Sequence, residues 1–108
     1  MKTQIPDIIE TYFRASNADD IEKLVSCFSM DAAVTDENET HHGAAAIKAW
    51  AVSVRKKYQF KTEVLRAAQK PDAVIVTAKL SGTFPGSPVN LDFKFGLKGD
   101  AISALEIG

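Results

Sequence analysis

The feature that most constrains this chain is a change of period near its middle. Up to Tyr58 the apolar residues recur every three or four positions, as on one face of a helix; from Gln59 onward they alternate, as on one face of a strand. The sharpest alternation is Val89, Leu91, Phe93, Phe95 and Leu97, which share a face opposite Asn90, Asp92, Lys94 and Gly96. So apolar a face has to be covered, and the helical half supplies the cover. The expected fold class is therefore α+β, a roll with helices first and a curved sheet after.

Within the helical half, Ile5, Ile8, Ile9, Tyr12 and Phe13 predict a helix over residues 6–17, with Pro6 suited to its first turn. Asn17 is placed to cap a second helix, whose buried stripe reads Ile21, Leu24, Val25 and Phe28. Residues 32–36 alternate as a short strand, with Val34 and Asp36 on one face and Ala33 and Thr35 on the other. A polar loop over 37–42 leads to Gly43 and a third helix, marked by Ile47, Trp50, Ala51, Val54 and Tyr58. Strands are expected over 59–69, 73–82, 89–97 and 101–107. Tight turns at Pro71-Asp72 and Lys98-Gly99-Asp100, and a longer proline-stiffened connection over 83–88, make them an antiparallel meander.

Composition narrows the function classes. With 108 residues, 45% hydrophobic and 25% charged, the chain falls outside the disordered range, and one domain over residues 1–108 is expected. Thirteen Lys and Arg against fourteen Asp and Glu give a net charge of −1, no field for nucleic acid or an anionic membrane. The basic run Arg55-Lys56-Lys57 ends a helical pattern, where cations complement the dipole. No apolar run approaches the roughly 18 residues of a membrane span, and residues 1–7 read as no secretion signal. Cys27 stands alone, so no internal disulfide forms, and a reducing cytoplasm is expected. Ser26, Ser29 and Ser53 sit in no nucleophile elbow, and no glycine-rich phosphate loop is present. His41 and His42 are adjacent, a poor metal clamp, so no metal and no cofactor are expected. Leu65, Ile75 and Ile107 are read onto the outer sheet face, where they favour a homodimer.

The order helix, helix, short strand, helix and four strands resembles the nuclear transport factor 2-like superfamily, which includes the SnoaL-like polyketide cyclases and the ketosteroid isomerases. The wording that carries the likeness is Asn17-Ala18-Asp19-Asp20-Ile21, Phe28-Ser29-Met30-Asp31-Ala32-Ala33-Val34-Thr35-Asp36, and His42-Gly43 before Ala46-Ile47 and Trp50. The stretches 82–89 and 99–107 further resemble a bacterial SnoaL-like subgroup. The resemblance implies a cystatin-like cone of three helices on a curved, mostly antiparallel sheet. Its open end would admit a small apolar or aromatic carbonyl compound. It also implies cofactor-free isomerase, cyclase or dehydratase chemistry by proton transfer, as in the isomerases that combine an Asp base with a Tyr donor and a protonated Asp. The alternative is a non-catalytic ligand-binding or protein-interaction module of the same fold. Pairing through the outer sheet face is the family habit.

Residue by residue, the isomerases' base matches Asp36 and their Tyr donor matches Tyr12. Their protonated Asp falls on Phe93, with Asp92 one position away and on the opposite face. Trp50, Phe60, Phe93 and Phe95 would form an aromatic wall with Phe28 and Leu105 below it. Val34 adjoins Asp36, and His42 is a candidate proton shuttle at the cup. Each carries an ordinary reading too. Asp36 also fits a solvated turn residue opening the acidic loop, and Tyr12 also fits a core aromatic.

Overall fold

The structure, a computed structural model, describes residues 5–108; residues 1–4, where the reading of no secretion signal begins, lie outside it. Helices α1 (Asp7–Asn17) and α2 (Ile21–Ser26) are followed by strands β1 (Phe28–Asp36) and β2 (Glu39–His42) and helix α3 (Ala44–Tyr58). Strands β3 (Lys61–Gln69), β4 (Val74–Ser81), β5 (Val89–Lys98) and β6 (Ala101–Ile107) complete the chain. One six-stranded sheet runs in the order β2-β1-β6-β5-β4-β3. Only β1 and β6 pair in parallel, so the sheet is mostly antiparallel as expected.

Three readings shift. Asn17 does not cap α2: Asp20 does, accepting from the Lys23 amide at 3.2 Å. Asn17 instead pairs with the Thr62 backbone through both halves of its amide, each at 2.8 Å, and ties the end of α1 to β3. Phe28 leaves the α2 stripe to open β1, because the helix closes at Cys27. The polar loop over 37–42 is largely strand: Glu37 and Asn38 take left-handed φ of 53° and 65°, a two-residue hairpin turn, and β2 pairs back along β1. Thr40 and the two histidines carried a strand signal too short to see without its partner.

Register shifts interrupt three strand pairs of the sheet, one of them between Phe28 and Ala33 where β1 runs beside β6. Register slips past Leu65 in β3 and past Ser103 in β6, each leaving one residue unpaired and bending the strand. Leu65 is thereby exposed on the edge strand, and Ile107, read from the sequence as an outer-face residue, turns inward beside Phe93. Helix α3 starts at Gly43, whose φ of 90° suits glycine, while its amide donates to the Ala32 carbonyl at 2.9 Å. The closed end of the cone is solid core: Ile9, Val34, Ile47, Phe95 and Ile102 are 0% exposed and Leu105 is 1%. Cys27 is buried at the foot of α2, and burial pushes its thiol pKa up, so it is an inert packing group. No described helix is long and apolar enough to cross a membrane.

Candidate functional site

Helices α1 and α3 do not close over the whole concave face. Toward its open end they leave a cavity of about 450 Å³, within the size range of small-molecule sites. Its walls are mostly apolar: Phe13 from α1, Val54 from α3, Phe60 ahead of β3, and Leu91 and Phe93 from β5. Aromatic rings order this wall, Phe13 meeting Phe93 edge to face at 5.2 Å and Tyr12 meeting Phe13 likewise at 5.2 Å.

Asp36 and Tyr12 line this same cavity. Asp36 is the last residue of β1, where alternation turns it inward with Val34. Its Oδ2 accepts from the Trp50 indole Nε1 at 3.1 Å, which fixes the carboxyl against α3. Burial pushes the Asp36 carboxyl above its ordinary value, helped by the Glu37 charge and opposed by hydrogen bonds from the Trp50 indole and the Glu37 amide and by nearby His41. The Tyr12 hydroxyl makes no hydrogen bond among the described residues, yet it is not a sealed orphan, so it opens on the cavity. Burial first, and the Asp36 charge second, push its pKa well above the usual tyrosine range, which leaves it a neutral donor at any physiological pH.

The other sequence candidates divide. Trp50, Phe60 and Phe93 line the cavity; Val34, Phe95 and Leu105 are sealed in the core below it. Phe28 also lies outside the lining and packs edge to face on Tyr12 at 5.9 Å. His42 is exposed and points away, because neighbours on a strand face opposite ways. His41 takes the inward place, with its ring 6.2 Å from that of Trp50. Asp92 faces outward, where Thr77 Oγ1 donates to it at 2.7 Å, so no second acid stands by Phe93. Among the described residues no group of three His, Cys, Asp or Glu is placed to hold a metal ion.

Sequence reading missed two parts of the site. Arg55, read only as a cation ending α3, lies four residues after Ala51 and flanks the apolar stripe. Its Nη1 donates to the Phe60 carbonyl and its Nη2 to Ser16 Oγ at 3.3 Å. The cation also sits 4.5 Å from the Phe60 ring centre. The second part is the mouth. Tyr58 donates to Glu37 Oε1 at 2.5 Å and packs edge to face on Phe84 at 5.7 Å, joining the β1–β2 turn to the β4–β5 connection. That connection is seated by Gly82, where a Cβ would stand 2.8 Å from the Gln59 carbonyl oxygen and 2.9 Å from that of Tyr58.

Fold and cavity together define an α+β cone of the nuclear transport factor 2-like, ketosteroid isomerase-like kind. The chain belongs to the SnoaL-like domain family, whose model matches residues 9–103. It is similar to a candidate polyketide cyclase from Sinorhizobium meliloti, at 40% identity over 96% of this chain and 95% of that one, with a TM-score of 0.94. A protein of ketosteroid isomerase-like fold from Catenulispora acidiphila, solved in complex with trimethylamine, superposes with a TM-score of 0.86 at 18% identity, covering 97% of this chain and 86% of that one. SalBIII, an epoxide hydrolase/cyclase-like enzyme of pyran ring formation in salinomycin, gives a TM-score of 0.82 at 20% identity, covering 94% and 86%. At such identities these two likenesses concern the fold. No curated protein matches the chain in sequence.

Proposed function

We propose that the cavity binds a compact apolar or aromatic carbonyl compound and that the chain moves a proton on it without a cofactor. The observation that carries this reading is the meeting, on one apolar cavity, of a carboxyl with a raised pKa and an unpartnered neutral phenol. Asp36 takes the proton from the carbon next to the carbonyl. The C–H electron pair forms the carbon–carbon double bond, the carbonyl pair moves to oxygen, and the Tyr12 hydroxyl donates a hydrogen bond to that oxygen. Protonated Asp36 then returns the proton to the substrate, which restores the base. Trp50 holds the carboxyl in place through Oδ2. The Sinorhizobium meliloti relative, a candidate cyclase, agrees with chemistry of this class.

Phe93 favours a second reading, a binding module without turnover, because the isomerases keep an acid there and this chain buries a ring at 3% exposure. Deuterium uptake at the carbons flanking the ketone of 2-tetralone, followed by proton NMR in heavy water, separates the two. Enzyme-dependent exchange that disappears in Asp36→Asn supports proton transfer; saturable binding with no exchange supports the module; absence of binding by this and by other carbonyl probes removes both. We also propose that two copies pair through the outer sheet face, where Ile75 lies half-buried beside Thr77. A monomer in sedimentation equilibrium at micromolar concentration contradicts it.

A further inference from the structure

We propose that the ligand of this cavity carries a carboxylate, gripped by Arg55 about one helical turn from the carbonyl at Tyr12; the inference rests on the carbonyl reading above and names the substrate class. Among the described residues Arg55 is the one basic side chain lining the cavity. The partners that hold it there, the Phe60 carbonyl and the Ser16 hydroxyl, are both neutral. The nearest acid, Asp19, reaches Nε at 3.5 Å and is itself 63% exposed, so solvent screens its charge. A guanidinium has five N–H donors in a planar fork, and three contacts leave two of them without a protein partner. A purely apolar ligand filling the cavity would strip water from those N–H groups and return nothing, a direct cost to binding. A carboxylate would meet them with paired, charge-assisted hydrogen bonds.

Position fixes the rest of the ligand. Ser16, which holds Arg55, lies four residues after Tyr12 on the same face of α1, a rise of about 6 Å. Trp50, which holds Asp36, precedes Arg55 by five residues on α3, about 7.5 Å along the axis. Base, donor and cation all line this one cavity, and the Tyr12 hydroxyl is acted on by both charges. The Asp36 carboxyl, held at Trp50, repels a carboxylate beside it, so the ligand enters one way round. The spacing fits a ketone and a carboxylate separated by two methylenes. Consistent with this order, Arg55 acts on Tyr12 as an opposing charge to Asp36, drawing its hydroxyl pKa down against burial.

The test is calorimetric titration at pH 7.5 with 4-oxo-4-phenylbutanoate and its uncharged methyl ester, on the wild type and on Arg55→Gln. The acid is expected to bind the wild type at least about tenfold more tightly than the ester, a charged pair's worth of discrimination. In Arg55→Gln the ratio should fall to about one with ester affinity kept, and Arg55→Lys should lie between. Equal affinities for acid and ester in the wild type overturn the inference and leave the carbonyl reading standing. Equal losses for both probes in Arg55→Gln overturn it too, since a merely structural arginine would weaken both alike. Should Arg55→Gln fail to fold by circular dichroism, the wild-type ratio decides alone. If 2-tetralone binds while neither probe does, only the carboxylate inference fails; if none of the three binds, the carbonyl reading fails with it.

Discussion

At the closed end of the cone Ile9, Val34, Ile47, Phe95 and Ile102 have no exposed surface, whereas at the open end Asp36, Arg55, Tyr58 and Phe84 all keep some. The two ends share strands. Val34 and Asp36 are two residues apart on β1, and Phe95 and Phe93 two apart on β5, so one step along an inward-facing row separates sealed core from cavity wall. The difference lies in what covers the row. Over Val34 and Phe95 the α1 rings close, Tyr12 meeting Phe95 edge to face at 5.5 Å; beside Asp36 and Phe93 the cavity remains open, rimmed by the β4–β5 connection. Stability is concentrated at one end and chemistry at the other, and substitutions at the two ends should behave differently.

The largest effect is expected at the closed end. Phe95→Ala removes a ring with no exposed surface and should cost about 3–5 kcal/mol, enough to unfold much of a domain this small in a thermal melt. A melt shifted by only a degree or two would mean that the closed end is not the stabilising one. Trp50 stands where the ends meet, 7% exposed and bonded to Asp36. Trp50→Phe keeps most of the packing but deletes the indole donor, so the loss should be about 1–2 kcal/mol. The Asp36 carboxyl, released from the contact that lowers its pKa, should titrate higher still, as carboxyl carbon NMR would show.

The framework was far more legible in the sequence than the site built on it. The row Val89 to Leu97, the stripe of α3 and the boundaries of β6 follow from period alone, because a buried face forces regular spacing. Asp36 and Tyr12 were found through family wording, and both line the cavity. Arg55 was not, since its role depends on a long-range contact with Ser16 and Phe60 that no local pattern encodes; its place four residues after Ala51 was the one available hint. His42, the candidate of the sequence, faces away and His41 takes the inward place, because the loop reading hid a strand and only strand alternation says which of two neighbours faces inward.

Smaller effects probe the open end itself. Tyr58→Phe deletes the hydrogen bond to Glu37 across the mouth and should cost under about 1 kcal/mol, since the pair is exposed. A loss as large as that of Trp50→Phe would show the mouth to be part of the stabilising structure after all. Asp36→Asn should leave the melt near neutral pH unchanged or higher. The sign follows from the raised pKa: between the ordinary value of 3.8 and the folded value, the folded protein keeps a proton that the unfolded chain has lost, so rising pH costs the wild type stability. Asn carries no such proton, and its melting temperature relative to wild type should climb from pH 4 upward. A wild type that gains on the variant as pH rises would mean a depressed pKa and a carboxyl acting as a turn cap.

The most direct measurement is the titration of Asp36 itself, its side-chain carboxyl carbon resonance followed by NMR from pH 2 to 9 and assigned by its absence in Asp36→Asn. A desolvated base at the open end of the cone predicts a midpoint above the ordinary carboxylate value of 3.8, moving higher in Trp50→Phe. A midpoint at or below that value would contradict the account, because an Asp36 hydrated or held by amides at neutral pH is not the base that the cavity requires.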